Sequence, residues 1–404
     1  MNPAGMNAAM NTAERRARLV RRHLLAPDVR AADPVAVARA LVALHATDPA
    51  TVYLSVATRL SDPAPAVKAL DRALYEDRTL VRLLGMRRTM FVVPLDVAPV
   101  VQSACAVAIA LGQRKLLLQH LAAGGTVDAP DLAAWLAEVE ESTVRAMAAR
   151  GSATATELAQ DEPRLREQIT LLPDKPYGGT SNITSRVLFL LAVDGRIVRG
   201  RPRGTWISSQ YRWSTVDEWL PGGLARPPVE EARTALVRDW LRAYGPGTIA
   251  DLKWWTGWTV GEVRKALAAI GPLEVDLGGG ATGLVLPDDE APEPAPPGEP
   301  CAAFLPALDP TVMGWTARDW FLGPHGPALF DRSGNPGPTV WWDGRVVGGW
   351  AQRRDGEVVF RLLEDTGSDA VAAAEAEAAR LTGWLGDVRV TPRFRTPLEK
   401  SLVE

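Results

Sequence analysis

The sequence predicts an α+β fold made of tandem winged-helix (helix-turn-helix) units followed by a C-terminal β-rich domain. Groups of amphipathic helices are each followed by a pair of short strands, which is the order of elements in a winged helix. The opening of one group recurs further along the chain at a constant offset, which favours repeated units. With 404 residues, the chain has room for about two to three domains.

Composition and charge exclude several classes of protein. The net charge of −3 gives no global basic signal, so any nucleic-acid binding must come from a local basic surface. The two cysteines and four scattered histidines form no disulfide framework, no H-E-x-x-H pair and no predicted metal site. We therefore expect neither a metal nor a cofactor, and the cysteine content fits a reducing, cytoplasmic compartment.

The N-terminus and the most apolar stretch give no targeting or membrane signal. The start of the chain lacks the long apolar core of a signal peptide. The stretch from Val97 to Leu111 is too short to span a bilayer and carries Gln102 and Ser103. We therefore expect no membrane partner.

The first winged-helix unit is predicted at residues 1–95. Asp33 followed by Pro34 is typical of a helix N-cap and a first helical position. The sequence VRLLGMRRTMFVVP, at 81–94, indicates a hairpin or a pair of strands. Helices are predicted over 12–25, 34–46, 50–60 and 64–76.

The second and third winged-helix units share their opening sequence. Thr154 and Glu157 are spaced as a capping box, and Thr248 and Asp251 repeat that spacing. Any capped helix after a glycine turn gives the same pattern, and this alternative stays open. The second unit covers 96–225, with helices over 96–121, 129–150, 151–158 and 182–194 and two strands within 193–208 that turn at Asp194-Gly195. The third unit covers 226–290, with helices over 229–243, 245–252 and 259–270 and strands near 273–277 and 282–286.

The C-terminal domain is predicted at 300–404, after a Pro-rich acidic linker at 288–300. Asp-Gly between two apolar runs is a strong hairpin signal. The predicted elements are the hairpin VWWDGRVVGGW (340–350) around Asp343-Gly344, a helix over 368–385 and the strand VRVTPRF (388–394).

Two clusters of arginines on the predicted strand pairs are candidate DNA contacts. In the wing of a winged helix, basic side chains reach phosphates and sometimes the minor groove. A solvated basic hairpin is the alternative for the first cluster, and pairing with Asp71, Glu76 and Asp77 is the alternative for the second. The first cluster is Arg196, Arg199, Arg201 and Arg203, and the second is Arg82, Arg87 and Arg88.

Three polar residues in LVALHATDPATVYLS (41–55) form the candidate catalytic centre. The sequence places His45, Thr47 and Asp48 at the end of an apolar helix, because a residue before proline resists the helical conformation. His45 can hold or activate a water, Thr47 can hydrogen-bond it, and Asp48 can orient His45 or stabilise positive charge. The alternative is that Asp48 merely caps the next helix while His45 lies half-buried on the helix flank.

The chain resembles the AlkZ-like and YcaQ-like winged-helix DNA glycosylases in blocks that run in order along nearly the whole sequence. The resemblance implies tandem winged helices that form a concave surface, with a C-terminal β domain. The family motif in the first block is Gln-x-Gln or Gln-x-Asp, where this chain has His45 and Thr47, and Phe91 replaces a usual His. The blocks are 40–55, VRLLGMRRTMFVVPLD (81–96), DLKWWTGWTVGEVRKAL (251–267), AAFLPALDPTVMGWTARD (302–319) and WWDGRVVGGWAQRR (341–354).

The resemblance implies a monofunctional, metal-independent DNA glycosylase that acts on N7-alkylated or bulky adducted guanine in duplex DNA, with self-resistance to a genotoxic natural product as one role. We separately expect the protein to be a monomer. Alkylation at N7 makes the base a good leaving group, so the enzyme needs only a placed water and negative charge near an oxocarbenium-like state. Asp309, Trp315 and Arg318 are candidate supporting residues. Whether the base is flipped out stays open. The alternatives are a non-catalytic winged-helix DNA-binding protein, as a regulator or damage sensor, and a structural protein without a DNA role.

Overall fold

The structure, a computed structural model, describes residues 9–125, 127–171, 179–289, 291 and 300–404. It combines helices and strands, so the predicted α+β class is confirmed. The chain forms two compact units, and the finer boundaries of the four predicted domains stay a prediction. Unit 1 comprises Met1–Leu80, Phe91–Pro94 and Arg233–Glu404, and unit 2 comprises Val81–Met90 and Leu95–Ala232. Most of the predicted linker at 288–300 lies outside the described residues.

The helices and strands follow in chain order. The helices are α1 (Thr12–Arg22), α2 (Pro34–Ala40), α3 (Pro49–Arg59), α4 (Ala66–Tyr75), α5 (Ala98–Val101), α6 (Val107–Gly124), α7 (Leu132–Arg150), α8 (Ala155–Asp161), α9 (Thr184–Val193), α10 (Val216–Trp219), α11 (Val229–Tyr244), α12 (Ile249–Thr256), α13 (Val260–Ile270), α14 (Asp319–Leu322), α15 (Gly326–Leu329), α16 (Ser368–Leu385) and α17 (Pro397–Val403). The strands are β1 (Leu44–His45), β2 (Leu80–Leu84), β3 (Met90–Pro94), β4 (Gln168–Leu171), β5 (Gly179–Asn182), β6 (Ile197–Pro202), β7 (Tyr211–Thr215), β8 (Leu273–Asp276), β9 (Thr282–Val285), β10 (Ala302–Leu305), β11 (Thr339–Trp342), β12 (Arg345–Gln352) and β13 (Val358–Leu362).

The first group of elements in winged-helix order begins at α2 in unit 1. Asp33 caps this helix as predicted, because its carboxylate accepts hydrogen bonds from the amides of Val35 and Ala36 at 2.8 and 2.9 Å. The short strand β1 follows, and then α3 and α4. Strand β1 pairs antiparallel with β3, with His45 opposite Phe91. This pairing fixes the backbone of the predicted catalytic segment.

The same order recurs in α7, α8, α9, β6 and β7 of unit 2, and again in α11, α12, α13, β8 and β9. In each group a single residue just before the second helix pairs with the second strand of the ribbon. Ala153 pairs with Trp213, and Gly247 pairs with Leu284. The predicted capping boxes that open α8 and α12 are present. The constant offset in the sequence therefore corresponds to equivalent positions in the two groups.

The C-terminal part of unit 1 contains a four-stranded antiparallel sheet in the order β10-β11-β12-β13. The predicted hairpin around Asp343-Gly344 is confirmed, and both residues have positive φ, at 47° and 76°. Helix α16, also predicted, packs against β10 and β13, and α17 packs against β12. This sheet lies close in space to α3, which contacts β10.

The helix predicted over 34–46 is wrong in its second half. Helix α2 ends at Ala40, Val42 adopts a positive φ of 62°, and the chain then forms β1. A run that is apolar on every side shows no periodicity to separate a strand from a helix. Pairing with β3 decides the outcome, so His45 lies on a strand and not at a helix end.

Two further predictions in the strand regions need correction. Asp194-Gly195 ends α9, with the Asp194 amide bonded to the Leu190 carbonyl, and the loop between β6 and β7 lies instead at 203–210. An Asp-Gly pair suits a helix C-terminus as well as a hairpin, because both need a positive φ. The stretch 388–394 is not a strand, because residues 388–392 have no regular structure and the chain bends at 393 and 394, and α17 after it was not predicted.

The apolar stretch that begins near Val97 is longer than its sequence suggests. A continuous helical run from Ala98 to Gly124 joins α5 and α6 through a π-helical segment, and within the described residues it is long and apolar enough to cross a membrane by length and composition alone. The length argument against a membrane span is therefore wrong. Arg114, in the middle of α6, forms ion pairs with Glu140 and Asp194, as expected of a helix packed within unit 2.

Candidate functional site

The imidazole of His45 lies in the interior of unit 1, with 5% of the residue exposed. Its ring meets the Phe91 ring edge to face, with the centroids 5.4 Å apart. Because the two residues are cross-strand partners, the backbone register itself places one ring against the other. Thr47, two positions along, is half-buried.

Asp48 ends this segment as the N-cap of α3. Its Oδ1 accepts a hydrogen bond from the Ala50 amide at 3.1 Å, and its Oδ2 accepts one from the Arg393 amide at 2.9 Å. Only 7% of Asp48 is exposed. Asp48 therefore caps the next helix, as the alternative interpretation of the sequence predicted. It also accepts a second hydrogen bond from the distant C-terminal segment.

A narrow cleft runs beside Asp48 in unit 1. Its floor is held in place by Thr51, whose hydroxyl donates to the Ala307 carbonyl at 2.7 Å. Trp350 closes one side, with its indole N–H donating to the Leu305 carbonyl at 2.9 Å. The cleft is lined by Asp48, Thr51, Pro306, Trp350, Gln352 and Pro392, among others.

Asp309 forms an ion pair with Arg59 at 2.7 Å, and neither side chain is exposed. The Ser55 hydroxyl and the Thr311 amide also donate to its carboxylate, at 2.6 and 2.9 Å. Burial raises the pKa of Asp309, but the charge of Arg59 and these hydrogen bonds outweigh burial and hold the pKa below its usual value. Asp309 therefore acts in this structure as an interior ion pair that joins α3 to the segment after β10.

The other two predicted supporting residues also make packing contacts. The indole N–H of Trp315 donates to the Tyr244 carbonyl at 3.1 Å, and its ring stacks on His23 with the centroids 5.7 Å apart. The Arg318 guanidinium donates to the Val312 carbonyl at 3.1 Å and lies over the ring of Trp254. Support of a reaction by these residues remains a prediction.

The first arginine cluster belongs to the wing, by which we mean the strands β6 and β7 and the residues that adjoin and connect them. Its members differ in how far they are exposed. Arg201 and Arg203 are exposed on the strand β6 and the loop that follows it. Arg199 is half-buried, with its guanidinium 4.9 Å from the Trp213 ring. Arg196 forms an ion pair with Glu141 at 2.8 Å. Arg201 and Arg203 are therefore the most exposed members of this cluster, and their contact with DNA remains a prediction.

The second arginine cluster is also divided. Arg82 is 3% exposed, and its guanidinium lies 4.6 Å from the centre of the Tyr211 ring. Arg87 is half-buried, and burial lowers its pKa to about 10. Arg88 is exposed, with a positive φ of 61°. Arg82 therefore packs within unit 2, and Arg88 is the most exposed of the three.

A broad groove in unit 2 encloses about 1940 Å³ of empty space, part of it open to solvent. Residues of α8, α9, β6, β7 and the loop between these two strands line it. Arg166 and Ser185 on this surface were not singled out from the sequence, because nothing local distinguishes them from ordinary exposed residues. Lining residues include Thr154, Arg166, Ser185, Phe189, Arg203 and Trp213.

Comparison with known proteins identifies the family. The family described as DNA glycosylase AlkZ-like matches residues 38–384. The chain belongs to this family. The family resemblance that the ordered motif blocks predicted is therefore confirmed, and the match includes both the His45 segment and the C-terminal sheet.

Two relatives of this AlkZ-like chain come from Streptomyces sahachiroi. An interstrand DNA cross-link repair glycosylase is 31% identical over 218 residues, which are 52% of this chain and 57% of that protein. The matched stretch thus spans little more than half of the relative. The structure of DNA glycosylase AlkZ aligns over 93% of this chain and 97% of that chain, with a TM-score of 0.69 and 24% identity. This second likeness establishes the fold.

The AlkZ-like chain has no clustered metal ligands in the part that the structure describes, where no group of three or more His, Cys, Asp or Glu side chains could hold an ion. Metal independence itself remains a prediction. The assignment of His45 and Thr47 to the positions of the family motif likewise rests on the sequence resemblance alone.

Proposed function

We propose that the protein is a monofunctional DNA glycosylase that hydrolyses the N-glycosidic bond of N7-alkylated or bulky adducted guanine in duplex DNA. The observation that carries the proposal is the match of the AlkZ-like DNA glycosylase family along residues 38–384. The S. sahachiroi relative, named as an interstrand cross-link repair glycosylase, supports a bulky or cross-linked lesion as substrate. We further propose that the protein works without a metal, as a cytoplasmic monomer, with self-resistance as one role.

The proposed reaction joins a water oxygen to C1′ as the bond from C1′ to N9 breaks. The electron pair of that bond moves onto the cationic base and neutralises it, and the water gives up one proton. We assign the water proton to His45 and the holding of the water to Thr47. Both oxygens of Asp48 already accept backbone hydrogen bonds, which favours His45 over Asp48 as the base.

The direct test is excision from two defined duplexes, one with N7-methylguanine and one with a bulky N7 adduct. Released base and abasic sites are measured against enzyme concentration. Release from either duplex supports the proposal, and the preferred duplex identifies the lesion class. No release from either one at enzyme in excess of DNA contradicts catalysis.

A non-catalytic DNA-binding protein is the second candidate. The burial of His45 against Phe91 favours it, because an enclosed imidazole needs an opening before it reaches a substrate. Tight binding to both duplexes without release of base would support this alternative.

A further inference from the structure

The segment 388–394, which we call the C-terminal strap, contacts the beginning of α3 inside unit 1. The Arg393 amide donates to Asp48 Oδ2 at 2.9 Å, although the two residues are 345 positions apart. The same carboxylate caps α3 through its other oxygen. Asp48 therefore ties two distant parts of the chain together at the candidate catalytic segment.

The other end of the strap is also fixed, by side chains and not by strand pairing. Gln352 Oε1 accepts from the Val390 amide at 2.8 Å, and its Nε2 donates to the Val388 carbonyl at 3.0 Å. The Arg389 guanidinium donates to the carbonyls of Arg354 and Asp355, at 3.1 and 2.8 Å. Because both ends are anchored, the backbone of the strap has a defined path past Asp48.

The three arginines of this region have different surroundings. Arg389 is occupied by backbone carbonyls, and Arg395 forms an ion pair with Glu399 at 2.7 Å. Arg393 is exposed, and its guanidinium lies 5.9 Å from the centre of the Phe394 ring. Its positive charge is therefore presented to solvent from a fixed piece of backbone.

We propose that Arg393 binds a DNA phosphate next to the target nucleotide and that Asp48 is a positioning residue that holds it there. His45 is three residues from Asp48, so their Cα atoms lie at most about 11 Å apart. Successive nucleotides of a strand rise by about 3.4 Å, which puts Arg393 within a few nucleotides of a base handled at His45. A guanidinium suits a phosphate because it offers paired, charge-assisted hydrogen bonds.

This assignment rests on the proposed DNA glycosylase function for its substrate, but it is tested by binding and not by excision. The variant Arg393→Gln leaves the backbone amide and its bond to Asp48 in place, and Arg393→Lys keeps the charge. Arg353→Gln is the matched control, because Arg353 is an exposed arginine of the same unit whose charge is already paired with Glu357 at 2.8 Å. Affinity for an undamaged duplex is measured by fluorescence anisotropy over a salt series.

We expect Arg393→Gln to weaken binding about tenfold at low salt. The slope of log affinity against log salt should become shallower by about 0.9, the value for one phosphate contact. Arg393→Lys should keep the slope, and Arg353→Gln should match the unaltered protein. An unchanged slope for Arg393→Gln overturns the phosphate contact.

A second variant tests the role of Asp48. Asp48→Asn keeps an acceptor oxygen for the cap of α3 but loses the acceptor that faces the Arg393 amide. We expect it to reproduce the shallower salt slope of Arg393→Gln, with no further change in the double variant. Loss of all excision with an unchanged slope would make Asp48 a catalytic group and overturn the positioning role. If no lesion is excised but the slopes change as expected, the glycosylase proposal fails while the phosphate contact stands.

Discussion

His23 lies in the interior of unit 1, beside the ion pair of Arg59 and Asp309. Its Nδ1 is 2.9 Å from the Thr311 hydroxyl oxygen, and its Nε2 is 3.2 Å from the Ala243 carbonyl oxygen. Burial first, and then the charge of Arg59, lower the pKa of His23 to about 3. The imidazole is therefore neutral in the folded protein across the physiological range.

This histidine should make unit 1 less stable in mild acid. In the unfolded chain it takes up a proton near pH 6.5, whereas the folded state excludes that proton down to about pH 3. The free energy of unfolding should therefore fall as the pH drops through this window, by up to about 1.4 kcal/mol per pH unit. Urea unfolding of His23→Gln should show a flatter pH dependence between these limits. The same slope in the variant between about pH 6.5 and pH 5 would contradict the assignment, because the contribution of Asp309 is lost only below about pH 5.

His45 is the residue on which the proposed chemistry depends. His45→Ala should slow base excision by about 10²- to 10⁴-fold, the usual contribution of a general base, with DNA affinity nearly unchanged. Single-turnover excision and anisotropy titration measure the two effects separately. His45→Gln, which introduces the residue of the family motif, should retain more activity than the alanine variant. Equal excision by His45→Ala and the unaltered protein would rule out His45 as the base.

At the scale of elements, α8 and α12 begin with the same type of capping box, but the acidic residues of the two boxes bind different further partners. Glu157 of α8 bonds to Thr154 and pairs with Arg212 at the surface. Asp251 of α12 is fully buried, and its second oxygen accepts from the amides of Thr316 and Ala317 at 2.9 and 3.1 Å. Glu157 therefore caps the N-terminus of α8, whereas Asp251 caps α12 and also binds the segment that leads to α14.

Asp251→Ala should therefore destabilise the protein much more than Glu157→Ala. Loss of Asp251 leaves the part-buried amides of Thr248, Thr316 and Ala317 without their acceptor, at a cost of about 1–3 kcal/mol for each one that water cannot reach. Loss of Glu157 exposes the end of α8 to solvent, which can hydrate it. The midpoints of urea unfolding compare the two variants directly, and equal shifts would mean that the bonds to residues 316 and 317 contribute little.

The exposed arginines of the wing in unit 2 allow a prediction about the affinity for DNA and its dependence on salt. Replacing Arg201 and Arg203 together with Gln should weaken binding to any duplex and make the salt slope shallower by about 1.8, which corresponds to two phosphate contacts. Arg196→Gln is the control, because Glu141 already neutralises that arginine. Normal salt dependence in the double variant would remove the wing from the DNA-binding surface.

For the whole molecule, the elements that the sequence predicts well are those with local signals. Asp33-Pro34, the capping boxes and Asp343-Gly344 each favour one local backbone conformation, and the structure has that conformation at each of them. The outcome differs where the partner is distant. The strand β1 forms by pairing with β3, and the strap is held by hydrogen bonds to Gln352 and Asp48. The conformation of these two segments therefore cannot be predicted from their own residues.

The sequence indicated which residues make up the candidate site, but it did not predict how they are arranged. His45, Thr47 and Asp48 do lie together in sequence at the start of α3, but His45 is on a strand and Asp48 is bonded on both oxygens. The sequence did not point to Arg393, the proposed phosphate contact, because its hydrogen bond to Asp48 joins residues 345 positions apart. A single exposed arginine near the C-terminus carries no local signal of that relation.

In all three groups a residue before the second helix pairs with the second strand of the ribbon: His45 with Phe91, Ala153 with Trp213 and Gly247 with Leu284. Two of these three residues are small. At Gly247 an added Cβ would come within 2.2 Å of the Trp240 ring, and Ala153 is completely enclosed. The first group alone of these three places a large polar side chain, His45, on this short strand. The space that neighbouring rings leave at each of these paired positions therefore limits which of them can carry a side chain large enough to act on a substrate.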